Sequence, residues 1–149
     1  WLQNNPYWAI DAKPTPWPDT SGPDKVLDSE EGSFWSPSGQ GPWYIIFDFF
    51  GHYTFTWIYI NTYGDITHDI TAFKFQTSAS SDPYSWIDVV NYNKSSDQVL
   101  VRFVVGGFNA TSRFWRLFIT NTGPGNSPPW LVEVGFYGLE AGTTTETAD

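Results

Sequence analysis

Ile70-Thr71-Ala72-Phe73-Lys74-Phe75-Gln76-Thr77 is the stretch on which the fold turns. Phe73 and Phe75 fall on one side of an extended chain, and Lys74 and Gln76 on the other. This period-two alternation marks a half-buried β-strand and is incompatible with an amphipathic helix. The same chemistry recurs on both sides. Tyr44–Phe50, Trp57–Tyr63, Trp86–Tyr92, Gln98–Val105, Phe114–Asn121 and Leu131–Tyr137 are rich in Val, Ile, Tyr, Phe, Trp and Thr, the residues that suit a pleated surface. Turn signals divide them: Gly64-Asp65, Ser80-Ser81-Asp82-Pro83, Gly106-Gly107 and Gly123-Pro124-Gly125-Asn126. No segment carries a helical repeat with caps, and no fixed-period repeat is present. The pattern predicts an all-β, antiparallel β-sandwich with residues 1–139 as one domain. Residues 1–43 are rich in Pro, Trp and Asp and show little periodicity. Residues 140–149, ending in a Thr-rich run, read as a linker or tail. A chain that starts at Trp1 reads as a mature product or an excised domain of a larger protein.

Composition narrows the partners. The 149 residues include 9 Trp, 8 Tyr and 12 Phe, more rings than a core of this size uses. The surplus belongs at the surface, where rings stack on sugars or grip a partner. Net charge is −9, and the seven Lys and Arg are scattered. Without a basic stripe, nucleic acid and anionic membrane are poor partners. No run approaches the length of a transmembrane helix. With no cysteine, disulfides, thiol catalysis and cysteine-ligated zinc are excluded. His52 and His68 are the only histidines, and no nucleophile elbow, zinc-protease helix or phosphate-binding glycine loop occurs. The sequence therefore reads as non-enzymatic. Asn93-Lys94-Ser95 and Asn109-Ala110-Thr111 are N-glycosylation acceptor sequences in a eukaryotic secreted context.

Several motifs line up in order. Lys25-Val26-Leu27-Asp28-Ser29-Glu30-Glu31-Gly32-Ser33-Phe34-Trp35 is followed by Trp43-Tyr44-Ile45-Ile46-Phe47-Asp48-Phe49. Next come Phe73–Ser78 with Tyr84-Ser85-Trp86, then Arg113-Phe114-Trp115-Arg116-Leu117, and finally Glu133-Val134-Gly135-Phe136-Tyr137-Gly138. Over about residues 24–139 this resembles the discoidin, or coagulation factor 5/8 type C, superfamily. That superfamily includes the galactose-binding-like domains and the family 32 carbohydrate-binding modules. Ser29 stands where the family has glycine, Ser33 where it has threonine, and the terminal cysteine pair of many animal members is absent. The resemblance implies a discoidin-like jelly roll, with Trp35 and Trp43 in the core and Arg113 and Arg116 paired with buried carboxylates such as Asp48.

It also implies a structural calcium ion. By position, the donors are the backbone of Lys25, Glu30, Ser33 and Val132 and the side chains of Asp28 and Glu133, an oxygen set suited to a hard cation. Sodium is not distinguished from calcium. In the alternative, Asp28 caps a turn and Glu133 accepts from backbone N–H groups.

Ligands of this fold bind at loops on one end of the sandwich, and segments 8–20, 36–42, 64–69, 106–112 and 122–130 are the candidates. Rings that stack on sugar C–H faces are sought in Trp8, Trp17, Phe108 and Trp130, and polar groups in Asp65, His68, Asp69, Asn109 and Asn126. Against this, Asp65 and Asp69 also read as turn formers, His68 as an exposed turn residue, and Trp8 and Trp17 as covers for sheet edges. The expected protein is a lectin-like, carbohydrate-binding module of a larger extracellular protein, bound to glycans or cell-surface glycoconjugates. A protein-interaction or adhesion domain using the same loops is the alternative, with phospholipid binding less favoured at this net charge.

Overall fold

A computed structural model describes residues 1–13, 22–30, 32–94 and 101–142. Six strands form: β1 (Ala9–Lys13), β2 (Trp43–Thr62), β3 (Ile70–Ser78), β4 (Ile87–Asn93), β5 (Arg102–Thr122) and β6 (Leu131–Glu140). All pairings among them are antiparallel. Short 3-10 turns at Pro6–Trp8, Pro23–Leu27 and Ile66–His68 are the only helical segments among the described residues.

β2 and β5 are twice the length of the others because each serves in both layers of the sandwich. Trp43–Asp48 pairs with Phe114–Ile119, and the same two strands pair again as Tyr53–Asn61 with Arg102–Ser112. β1 joins only the first half of β2, and β3, which carries β4 on its other edge, joins only the second half of β5. β6 joins only the second half of β2. The result is a five-stranded layer facing a three-stranded one. The crossings fall where the backbone leaves ordinary strand geometry: Phe50 has φ 58° beside Gly51, and Gly107 has φ 85°. At Gly107 the left-handed conformation explains the glycine. The sequence reading placed turns at Gly106-Gly107 and ended a strand at Phe50; the chain instead bends there and continues as strand in the other layer. Nor did the Pro- and Trp-rich opening suggest β1.

Rings from the two layers fill the space between. Phe55 packs on Trp115 at 5.0 Å, Phe47 on Phe136 at 5.3 Å, and Phe75 on Phe136 at 6.1 Å between ring centres. Trp35, Trp43 and Trp115 are fully buried with Ile45, Ile58, Ile60, Leu117 and Val134. Burying a large apolar side chain contributes about 1.5–3 kcal/mol, and these rings and aliphatic groups are the main favourable contribution to set against the entropy of ordering the chain. Arg113 grips the buried Asp48 with two hydrogen bonds of 2.7 and 2.9 Å. Arg116 does otherwise: it donates to Gln76 and lies over the rings of Tyr44, Trp86 and Phe118.

Because β2 and β5 fold back on themselves, each begins and ends at one end of the sandwich. That end carries segments 36–42, 63–69 and 123–130. The opposite end carries the bends near residues 50–52 and 107–113.

Candidate functional site

The loop end is built on a buried ion pair. Asp69 has almost no exposed surface, and its carboxylate takes the Lys94 ammonium at 2.5 Å. Its backbone carbonyl accepts from Gly123, and Lys94 donates its backbone N–H to Thr71. Asp69 thereby ties the 63–69 segment to the end of β4 and to the 123–130 segment. Asp65 caps the adjoining 3-10 turn, accepting from Thr67 N at 2.9 Å and Thr67 Oγ1 at 2.7 Å. Those hydrogen bonds, with a smaller contribution from His68, hold the Asp65 carboxyl below its ordinary value. Asn126 turns its segment by accepting from Thr122 N at 2.9 Å.

On this frame stands a four-ring cluster. The imidazole of His68 lies flat on the indole of Trp130, 3.6 Å apart and 4° from parallel. His68 Nδ1 is 2.6 Å from the Pro128 carbonyl. A carbonyl only accepts, so Nδ1 carries hydrogen, and Nε2 is the remaining polar atom of the ring. Tyr63 and Phe34 pack against Trp130 at 5.4 and 5.5 Å. Backbone hydrogen bonds from Trp130 N to His68 O and from Tyr63 N to Trp130 O lock the two segments together. The result is a packed ring cluster in which His68 covers one face of Trp130, both are half-buried and Tyr63 is exposed, an association of rings and polar edges of the kind that meets a sugar's C–H face and hydroxyls.

The sequence candidates therefore do not form one site. Asp65, His68, Asp69 and Trp130 converge at the loop end. Trp8, Phe108 and Asn109 lie toward the opposite end. Trp8 is buried against Phe49 at 4.8 Å, and Phe108 faces Phe75 in the core at 5.9 Å. Asn109 is exposed on β5, where 106–112 is strand rather than loop. Trp17 lies outside the described residues, as do Glu31 and residues 143–149. Sequence reasoning overlooked Phe34 and Tyr63, although Phe34 precedes the core residue Trp35 and so must point outward.

Of the cation candidates, Asp28, Glu30, Ser33, Val132 and Glu133 lie in one neighbourhood. The 3-10 turn Pro23–Leu27 delivers Asp28, whose Oδ1 accepts from Glu30 N at 3.0 Å and whose Oδ2 accepts from Ser33 Oγ at 2.5 Å. Glu133, on β6, accepts from Ser29 N at 3.2 Å and from Asn4 Nδ2 at 2.6 Å. Burial pushes the Glu133 carboxyl up to about 7, hydrogen bonds from Asn4 and Ser29 oppose this, and the neighbouring Asp28 charge adds to it. Asn4 Oδ1 is buried with no donor. Among the described residues no three His, Cys, Asp or Glu side chains cluster as a metal site. A cation here would thus draw on two carboxylates, a hydroxyl and the carbonyls of Lys25, Glu30, Ser33 and Val132. Oxygens of this kind suit a hard cation, and the buried Glu133 carboxyl lies near that of the half-exposed Asp28.

No protein-family model and no curated protein sequence matches the chain. Solved structures do. CBM32-3 from a family 31 glycoside hydrolase of Clostridium perfringens superposes with a TM-score of 0.76 at 18% identity, covering 92% of this chain and 94% of its own. CpGH89CBM32-5 of Clostridium perfringens, in complex with GalNAc-β-1,3-galactose, gives 0.72 at 15% identity, covering 85% and 92%. Chitosan-binding module 2 from a chitosanase/glucanase of Paenibacillus sp. IK-5, in complex with chitotriose, gives 0.69 at 17% identity, covering 90% and 100%. The chain has the β-sandwich fold of these modules. No helix among the described residues is long and apolar enough to cross a membrane.

Proposed function

We propose that this chain is a non-catalytic carbohydrate-binding module that takes a saccharide at its loop end, beside the His68–Trp130 stack. The observation that carries this reading is the stack itself: a flat pair of rings, held by backbone hydrogen bonds, with the imidazole Nε2 and the Asp65 carboxylate as nearby polar groups. The likeness to sugar-complexed modules supports it. Such a module serves as the glycan-binding part of a larger extracellular protein, gaining avidity where several copies act together. A calcium ion held by Asp28, Glu133 and the carbonyls of Lys25, Glu30, Ser33 and Val132 would fasten the 22–33 segment to β6. It would supply charge compensation there and no chemistry at the sugar.

The test is isothermal titration with chitotriose and with GalNAc-β-1,3-galactose, on the wild type and on His68→Ala and Trp130→Ala. A stacked ring typically accounts for at least 1.4 kcal/mol, so each variant should bind about tenfold or more weakly. Equal affinity in all three proteins would move the sugar elsewhere on the molecule. A wild type deaf to every sugar, yet retaining one stoichiometric protein from the host surface, would favour the adhesion reading.

A further inference from the structure

The three-stranded layer has an outer face whose residues the loop-end site does not use. Along β2, Ile58 and Ile60 point into the core and Trp57 and Tyr59 point out, while Asn61, on the same side as Tyr59, is 7% exposed at the floor of the groove. Opposite each outward ring the neighbouring strand has a glycine. Trp57 pairs with Gly106 of β5, and Tyr59 with Gly135 of β6. A Cβ on Gly106 would collide with the Trp57 indole, and a Cβ on Gly135 with the Tyr59 ring. The rings therefore lie down across the sheet and do not stand up from it. Trp57 is 43% exposed, Tyr137 46% and Trp1 59%. Trp1 is pinned there by Leu2 N–H on the Phe136 carbonyl and meets Tyr59 and Tyr137 edge-on.

This face joins aromatic surface to planar polar groups. A groove of about 250 Å³ runs from it to the cation-candidate segment, lined by Trp1, Tyr59, Asn61 and Arg102 and at its far side by Glu30 and Glu133, with the Arg102 guanidinium 5.5 Å from the centre of the Tyr59 ring. Two further hollows open from the same Trp1, one bounded by Thr54, Thr56 and Tyr137 and one by Trp57 and Val104. The chain's charge of −9 lies mostly elsewhere: the outward positions of these strands carry Arg102 and, at the edge, Glu133. Flat rings beside amides, hydroxyls, the Arg102 guanidinium and, at the groove's far side, the Glu30 and Glu133 carboxylates offer charges of both signs and hydrogen-bonding groups that complement a hydroxyl-rich chain of no net charge. A dry protein interface would show a ring-lined centre sealed from such a groove.

We propose that the outer face of the three-stranded layer is a second saccharide-binding surface, taking a neutral oligosaccharide across Trp57, Tyr137 and Trp1 with Asn61 and Arg102 at its polar end. The proposal rests on the carbohydrate-binding reading but not on the loop-end site. It makes the module bivalent on its own, able to hold one chain at the loop end and another on its flank.

The test is a ¹⁵N-resolved NMR titration of the whole chain with chitotriose, cellotriose and GalNAc-β-1,3-galactose. The expected result is two separately saturating sets of resonances for at least one sugar. One set includes the Trp57 indole and the Tyr137 amide, the other the loop-end residues His68 and Trp130. Trp57→Ala with Tyr137→Ala should weaken the first set about tenfold or more and leave the second unchanged. Val104→Glu, which keeps every ring but adds a carboxylate to the face, should do the same if the double variant does not fold. Perturbation confined to the loop end with all three sugars overturns this inference and leaves the proposed function standing. No perturbation anywhere overturns both. Perturbation of the sheet face alone supports the inference and removes the sugar from the loop end.

Discussion

Replacing Glu133 by Gln should make the cation-free protein more stable at pH 8 and leave it nearly unchanged at pH 5. Glu133 sits in the sheet with 5% of its surface exposed, near Asp28, and its carboxyl is raised from 4.5 to about 7. In the unfolded chain it returns to its ordinary value. Between those values the folded state holds a proton that the unfolded state releases, so stability falls as pH rises through this window. The full change corresponds to about 3 kcal/mol at 1.36 kcal/mol per pH unit. For a chain of this length that is about 6–12 °C in the unfolding midpoint. Gln cannot ionise, so its midpoint should stay level where the wild type's declines. Calcium should reverse the ranking. A bound cation compensates both carboxylates, so the wild type gains stability and loses its slope, whereas Glu133→Gln responds weakly. The assay is thermal unfolding by circular dichroism from pH 5 to 8, in EDTA and in millimolar calcium. A wild-type midpoint that is flat with pH in EDTA, or a variant with the same slope, would falsify the account of Glu133. Equal stabilisation of both proteins by calcium would detach the cation from this carboxylate.

Other consequences are as direct. Asp69→Asn strands the buried Lys94 ammonium and should cost about 3–5 kcal/mol in urea unfolding, with much of the loss restored by adding Lys94→Met. Asp48 is raised by burial, but Arg113 and the Phe50 N–H outweigh this and hold it below 3.8. Its contribution is therefore present above that value and lost as pH falls through the lower folded one, so Asp48→Asn should flatten the acid limb of a stability–pH curve. Gly135→Ala forces a methyl against Tyr59 and should cost about 1–3 kcal/mol by chemical denaturation, while Gly32→Ala, with open space around it, should cost far less.

The strand chemistry was legible because alternation of Phe, Ile and Trp with polar residues needs only local geometry. Trp35 and Trp43 could be placed in the core from their motifs. What local reading could not provide was the route of the two long strands. Gly106-Gly107 has the composition of a turn, yet in the sandwich it is a bend in a continuing strand, because β5 must pass from one layer to the other. That passage decides which end each loop occupies, so Phe108 and Asn109 were grouped with His68 and Trp130 although they lie toward the opposite end. Lys94 was invisible as a partner of Asp69, since 25 residues separate them and only the β3–β4 pairing brings them together. The glycines facing Trp57 and Tyr59 carry no signal until the register is known.

Each long strand works like the spring of a clothes-peg. Its two arms belong to different layers, its coil is the bend at residues 50–52 or 107–113, and its jaws open at the loop end. The spacing between the jaws is thus set by covalent backbone at the far end as well as by the packed rings between the arms. Segments 63–69 and 123–130 also carry the chain from one layer to the other, so the jaws are tied across by the Asp69–Lys94 pair and the backbone hydrogen bonds of Trp130 as well as by the bends. A cut in the backbone near Gly51 would spare every loop-end residue but leave the jaws of β2 aligned by those ties and the packed rings alone.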